Sequence, residues 1–147
     1  MVNKVFVYGT LLSGLSNHRV VKPYVVDCKA AKTVGQLYHL PYGYPAVIDS
    51  DSEQKIIGEL LELKEAEPAL KALDRLEGYI GPGDRRNLYE RIVQEVVMTD
   101  CSRVLAYIYV WANPEKLDRI GELVPDGDWR AYMKKLHCRN NIGSAKN

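Results

Sequence analysis

Glu77 is a carboxylate in the wrong place for a solvated one. On a wheel at about 100° per residue, the segment Ala66–Glu77 puts Glu67, Lys71, Asp74 and Arg75 on one polar face. Ala66, Ala69, Leu70, Leu73 and Leu76 fall on the other. Glu77 lands between Leu70 and Leu73, inside the apolar stripe. A carboxylate there costs free energy unless it is paired, hydrogen-bonded or protonated. It also occupies the last helical turn, where the macrodipole is negative. Burial and dipole both favour the neutral acid, which raises the pKa toward the range that proton transfer near neutral pH requires. The pattern leaves a second reading open, in which Glu77 swings past the helix end into water or pairs with Arg85, Arg86 or Arg91.

A different chemistry is available at the start of the chain. Lys4-Val5-Phe6-Val7-Tyr8 is β-branched and aromatic and predicts a buried strand. Gly9 interrupts it, and without a Cβ it accepts φ > 0 or a close approach of other atoms. Gly9, Thr10 and Leu11 then offer consecutive N–H groups, a concavity suited to an anion such as a carboxylate. By spacing alone this is equally an ordinary strand end with a glycine turn.

The remaining reactive residues carry plainer expectations. Glu59 shares a strand face with Ile57 and Leu61, and a structural pairing with a neighbour such as Arg91 is expected. Tyr89 and Arg91 share another face, as either a cross-strand contact or a pocket wall. Tyr107, Tyr109 and Trp111 form a stripe that reads as core, and His18 reads as a surface residue. Cys28, Cys101 and Cys138 are widely spaced and have no partner motif, which argues for reduced thiols and a cytoplasmic protein. His137-Cys138 has no second pair at ligand spacing, so neither a metal nor another cofactor is expected.

These residues need a scaffold. After the first strand, Ser16 or Asn17 could cap a short helix from His18 to Lys22 that Pro23 ends. Strands are predicted over Thr33–Leu40, Ala46–Ile48, Lys55–Leu63, Tyr89–Thr99 and Val104–Trp111. Pro41–Pro45 and Asp49–Ser52 read as turns, and Asp100–Ser102 as a hairpin loop. Gly58 suggests a bulge or close approach, and Gly78 a helix C′ residue. A helical turn over Glu115–Ile120 and a last helix from Trp129 to about Cys138, capped by Asp126 or Asp128, complete residues 1–138 as a single domain. Residues 139–147 read as a polar, frayed tail. Strands outnumber helices without regular alternation, so the class is α+β with a curved mixed or antiparallel sheet.

Composition narrows the functional classes. The 147 residues are 46% hydrophobic and 27% charged, enough for one domain with a core. With 20 basic against 19 acidic residues the net charge is +1, which gives no footprint for nucleic acid or an anionic membrane. No apolar run nears about 20 residues, and the first residues lead straight into a strand, so neither a membrane span nor a signal peptide is expected.

Four stretches together resemble one family. They are Phe6-Val7-Tyr8-Gly9-Thr10-Leu11 with Asn17-His18-Arg19, Gly58-Glu59-Leu60-Leu61, Leu73-Asp74-Arg75-Leu76-Glu77-Gly78-Tyr79, and Tyr89-Glu90-Arg91. In order and rough spacing they are similar to the gamma-glutamylcyclotransferase-like superfamily, above all its gamma-glutamylamine cyclotransferase branch, from about Val5 to Trp111. The resemblance implies a small, mostly closed mixed β-barrel of about six strands with helices outside. It also implies a transferase- or lyase-type cyclisation of a small gamma-glutamyl substrate, releasing 5-oxoproline and an amine. Glu77 would be the acid/base, with Tyr8, Gly9, Thr10, Leu11 and Tyr89 binding the substrate. The resemblance is weak over the loop Gly81–Asn87 and the segment after Trp111, which are expected to select the amine. Two competing readings remain: a non-enzymatic small-molecule binding domain reusing the cavity, and, with less in its favour, a cysteine-dependent hydrolase.

Overall fold

A computed structural model describes residues 2–49 and 54–145. The expected turn residues Ser50, Asp51 and Ser52 lie outside the described residues. Strands β1 (Lys4–Val7), β2 (Val25–Val34), β5 (Lys55–Leu63), β6 (Tyr89–Met98) and β7 (Arg103–Trp111) close a barrel in the order β1-β5-β2-β6-β7. The pairs β1–β5, β5–β2, β2–β6 and β6–β7 are antiparallel, and β7 meets β1 in parallel through Val5 and Tyr107 to close the ring. The barrel is mixed as expected, with five strands rather than about six. The short strands β3 (Gln36–His39), β4 (Pro45–Ile48) and β8 (Glu122–Leu123) pair with one another in a separate sheet instead.

The two faces of the barrel strands belong to different cores. Val5, Val7, Leu61 and Leu63 pack with Ala69, Leu70 and Leu73 of helix α2 (Ala66–Glu77), so this cluster lies outside the barrel. Phe6 and Leu60, at alternate positions of the same strands, pack inside with Ala106 and Ile108 of β7 and with Leu37 and Val47 of the small sheet. Burial on both faces explains why β5 reads as a strong strand without a clean polar side.

β2 was not expected from sequence before Thr33. Val-Val-Asp-Cys-Lys-Ala-Ala-Lys-Thr-Val has no large apolar side chain beyond its valines and is mostly exposed, but it pairs with β5 from Val25 to Val34. Its strand state comes from that ladder rather than from side-chain propensity. The ladder's irregularity falls between Val25 and Asp27, not at Gly58. At Gly58 a side chain would collide with the carbonyl oxygen of Val7, so the glycine permits β1 to lie close.

The helices follow local rules. Gly78 caps α2 with φ 66°, and Tyr79 N–H donates to the Asp74 carbonyl at 2.9 Å. Helix α1 (His18–Val21) is shorter than expected, and Pro23 lies within a following 3₁₀ turn. After a second 3₁₀ turn at Pro114–Lys116 comes α3 (Leu117–Ile120). Helix α4 (Trp129–Ala145) starts on Asp128, whose carboxylate accepts from Ala131 N–H at 3.0 Å, and extends beyond Cys138. Among the described residues no helix is long and apolar enough to cross a membrane.

Candidate active site

A cavity of about 370 Å³ opens where β1 ends. Tyr8, Gly9, Thr10, Leu11, Glu77 and Tyr89, the residues singled out from sequence, all line it. It also takes in Ser16, Asn17, Gly43, Tyr44, Pro45, Leu88 and Tyr109, which sequence reasoning did not place there. The available signal for Tyr44 was the aromatic pair inside the turn Pro-Tyr-Gly-Tyr-Pro. No residue of Gly81–Asn87 lines the cavity, although Leu88, the next residue, does.

Glu77 is the last residue of α2 and is largely withdrawn from water. Burial pushes its pKa from the ordinary 4.5 up to about 7. None of the arginines considered as partners takes it. Arg86 pairs with Asp84 at 2.8 Å, and Arg91 pairs with Asp74 at 2.7 Å. The helix end beneath Glu77 is pinned, since Gly78 accepts from Leu88 N–H at 2.9 Å one residue before Tyr89.

The loop after β1 is held from several sides. Leu12 N–H donates to the Gly9 carbonyl at 3.0 Å, and Asn17 N–H donates to the Thr10 carbonyl at 2.9 Å. The Asn17 side-chain amide donates to Thr10 Oγ1 at 2.9 Å instead of capping α1. His18 is not a free surface residue, because its Nδ1 meets the Leu11 carbonyl at 2.9 Å. Glu59 accepts from both Ser13 N–H and Ser13 Oγ–H at 2.7 Å, so its role is structural but its partner is Ser13 rather than Arg91. Arg130 of α4 donates to the Ser13 carbonyl at 2.6 Å. Among the described residues the N–H groups of Gly9, Thr10 and Leu11 have no protein acceptor, which leaves them available to a ligand.

Phenols and a carboxylate brace the cavity wall. Tyr8 Oη–H donates to the Tyr109 carbonyl at 2.6 Å and accepts from Val47 N–H at 3.3 Å. Tyr89 Oη–H donates to the Pro45 carbonyl at 2.6 Å. Tyr109 Oη–H donates to Asp74, which also receives Arg91 on both oxygens. Burial first, then neighbouring negative charge, holds the Tyr8, Tyr89 and Tyr109 phenols well above their usual range. They stay neutral near pH 7, whereas burial brings Glu77 up to about that pH. Arg91 is not in the cavity wall; it lies over the rings of Tyr79 and Tyr107. The aromatic stripe divides, with Tyr109 and Trp111 buried and Tyr107 partly open. The cysteines are free and exposed, and none lines the cavity.

Comparison with known proteins places the chain among relatives. The family model described as gamma-glutamyl cyclotransferase, AIG2-like, matches residues 5–131. A curated relative from Niallia circulans, gamma-L-glutamyl-butirosin B gamma-glutamyl cyclotransferase, is 34% identical over 128 residues, covering 87% of this chain and 76% of that protein. YkqA from Bacillus subtilis superposes with a TM-score of 0.69 at 26% identity over 94% of this chain, which spans only 43% of that longer chain. An AIG2-like protein from Mus musculus shares the fold at 23% identity and a TM-score of 0.64, with 86% of each chain covered. The chain therefore belongs to the gamma-glutamyl cyclotransferase, AIG2-like family, and is an enzyme of that class.

Proposed function

We propose that the protein cyclises a gamma-glutamyl amine to 5-oxoproline and a free amine, with Glu77 as the acid/base. What supports this reading is one cavity lined both by Glu77, whose pKa is raised to about 7, and by Gly9, Thr10 and Leu11, whose N–H groups have no protein acceptor among the described residues. The substrate brings its own nucleophile. Its α-amine nitrogen forms a bond to the γ-carbonyl carbon, and the bond from that carbon to the departing nitrogen breaks. The ionised Glu77 takes the proton that the attacking amine sheds and returns it to the nitrogen that leaves, so no protein nucleophile is required. Tyr8, Gly9, Thr10, Leu11 and Tyr89 hold the glutamyl part folded, with its α-carboxylate toward the loop N–H groups. Proximity of this kind is worth about 7–11 kcal/mol of the barrier.

The Niallia circulans relative supports the substrate class, since its name specifies a gamma-L-glutamyl compound and a cyclotransferase activity. The test is to incubate the protein with gamma-glutamyl amines and peptides and assay 5-oxoproline. Binding of a panel member with no 5-oxoproline would replace the enzyme reading with a binding module.

A further inference from the structure

Glu77 is the one charged side chain among the described residues lining the cavity. The rest of the lining includes partly exposed apolar and aromatic side chains. Leu76 and Leu88 line the cavity and stay 38% and 39% exposed. Tyr44 also lines it, with its ring 6.4 Å from that of buried Tyr89 and 5.7 Å from that of Tyr42, which is 60% exposed. Three aromatic rings thus run from the cavity interior out to water. Large apolar side chains beside an opening gain free energy when an apolar group covers them.

The glutamyl part accounts for the loop and Glu77, so the wall that remains must face the departing amine. We propose, resting on the cyclotransferase reading above, that Tyr42, Tyr44, Leu76 and Leu88 form a subsite for the body of an apolar or aromatic amine carrying no second charge. A leaving amino acid or peptide would bring a carboxylate to a wall that offers no cation among the described residues. Arg86, two residues before Leu88 in the chain, does not line the cavity and is paired with Asp84. A diamine would bring a second ammonium whose one carboxylate partner in the cavity is Glu77, the group that must stay free to move the proton. The tyrosine faces could attract such a cation, which is the main competing outcome.

Three substrates with a CH₂ on the departing nitrogen separate these cases: gamma-glutamylbenzylamide, gamma-glutamylputrescine and gamma-glutamylglycine. Their kcat/KM values are compared by 5-oxoproline release. The benzylamide is expected to lead the other two by about tenfold or more, the scale of one well-covered apolar group. Tyr42→Ser, at a largely exposed position, should cut that lead severalfold. Leu88→Asp should move the preference toward the putrescine derivative. If either charged amine matches the benzylamide in the wild type, the apolar subsite is overturned while the cyclotransferase reading stands. If no member yields 5-oxoproline, the cyclotransferase reading fails and takes this proposal with it.

Discussion

The ring of Pro45 fills the space that a side chain on Gly9 would need: a Cβ there would collide with Pro45 Cγ and lie 2.7 Å from Cδ. The Pro45 carbonyl in turn receives the Tyr89 hydroxyl. Gly9 is therefore required by a neighbour's approach and not by a left-handed backbone, since its φ is not positive. Gly9→Ala should lower stability by about 1–3 kcal/mol through overpacking and depress kcat/KM by shifting the loop. Gly58→Ala should cost more, because the collision is with the backbone oxygen of Val7. Gly81→Ala, where nothing lies within 4 Å, is the control and should be near neutral in thermal unfolding.

Replacing Glu77 should separate chemistry from binding. Glu77→Gln keeps the side chain's size but cannot accept the proton of the attacking amine. Turnover should vanish while substrate affinity stays within about tenfold, or ~1.4 kcal/mol. Glu59→Gln weakens the hold on Ser13 and should lower Tm more than it lowers kcat. A Glu77→Gln protein that still forms 5-oxoproline at the wild-type rate would end the assignment.

The raised pKa of Glu77 makes two pH predictions of opposite sign. Activity should rise with pH through about 7, as the carboxylate becomes the base. Stability should move the other way. The folded state keeps a proton that the unfolded chain releases near 4.5, so the favourable contribution is complete below 4.5 and is lost as pH rises through about 7. Glu77→Gln removes this dependence and should be more stable than the wild type at pH 8 by about 3 kcal/mol, a Tm gain of several degrees, with no gain at pH 4. Paired thermal melts at the two pH values check it.

Asp74 lies one turn before Glu77 and joins α2 to the barrel by accepting from Arg91 and Tyr109. Asp74→Asn should lower kcat about tenfold with a smaller change in KM, as Glu77 loses its fixed position relative to the loop. Arg91→Lys should reproduce part of the effect. A drop in Tm with kcat unchanged would mean that the network only stabilises the fold.

Periodicity placed Glu77 within an apolar stripe, delimited α2 and β5, and located the glycine cap at residue 78, because each depends on residues a few positions apart. The same wheel put Asp74 on the polar face, without showing that tertiary contacts pair it with Arg91, and put Leu76 in the apolar stripe, without showing that it borders the cavity and stays partly exposed. β2 escaped notice because its strand state rests on pairing with β5 and β6 rather than on its own side chains. Tyr44, Pro45 and Tyr109 join the site only once the barrel closes and β4 is seated against Gly9. A helical or strand period records which face of an element avoids water. It does not record which distant element will cover that face, so the hydrogen-bond partners and the wall of the cavity were decided by the tertiary structure.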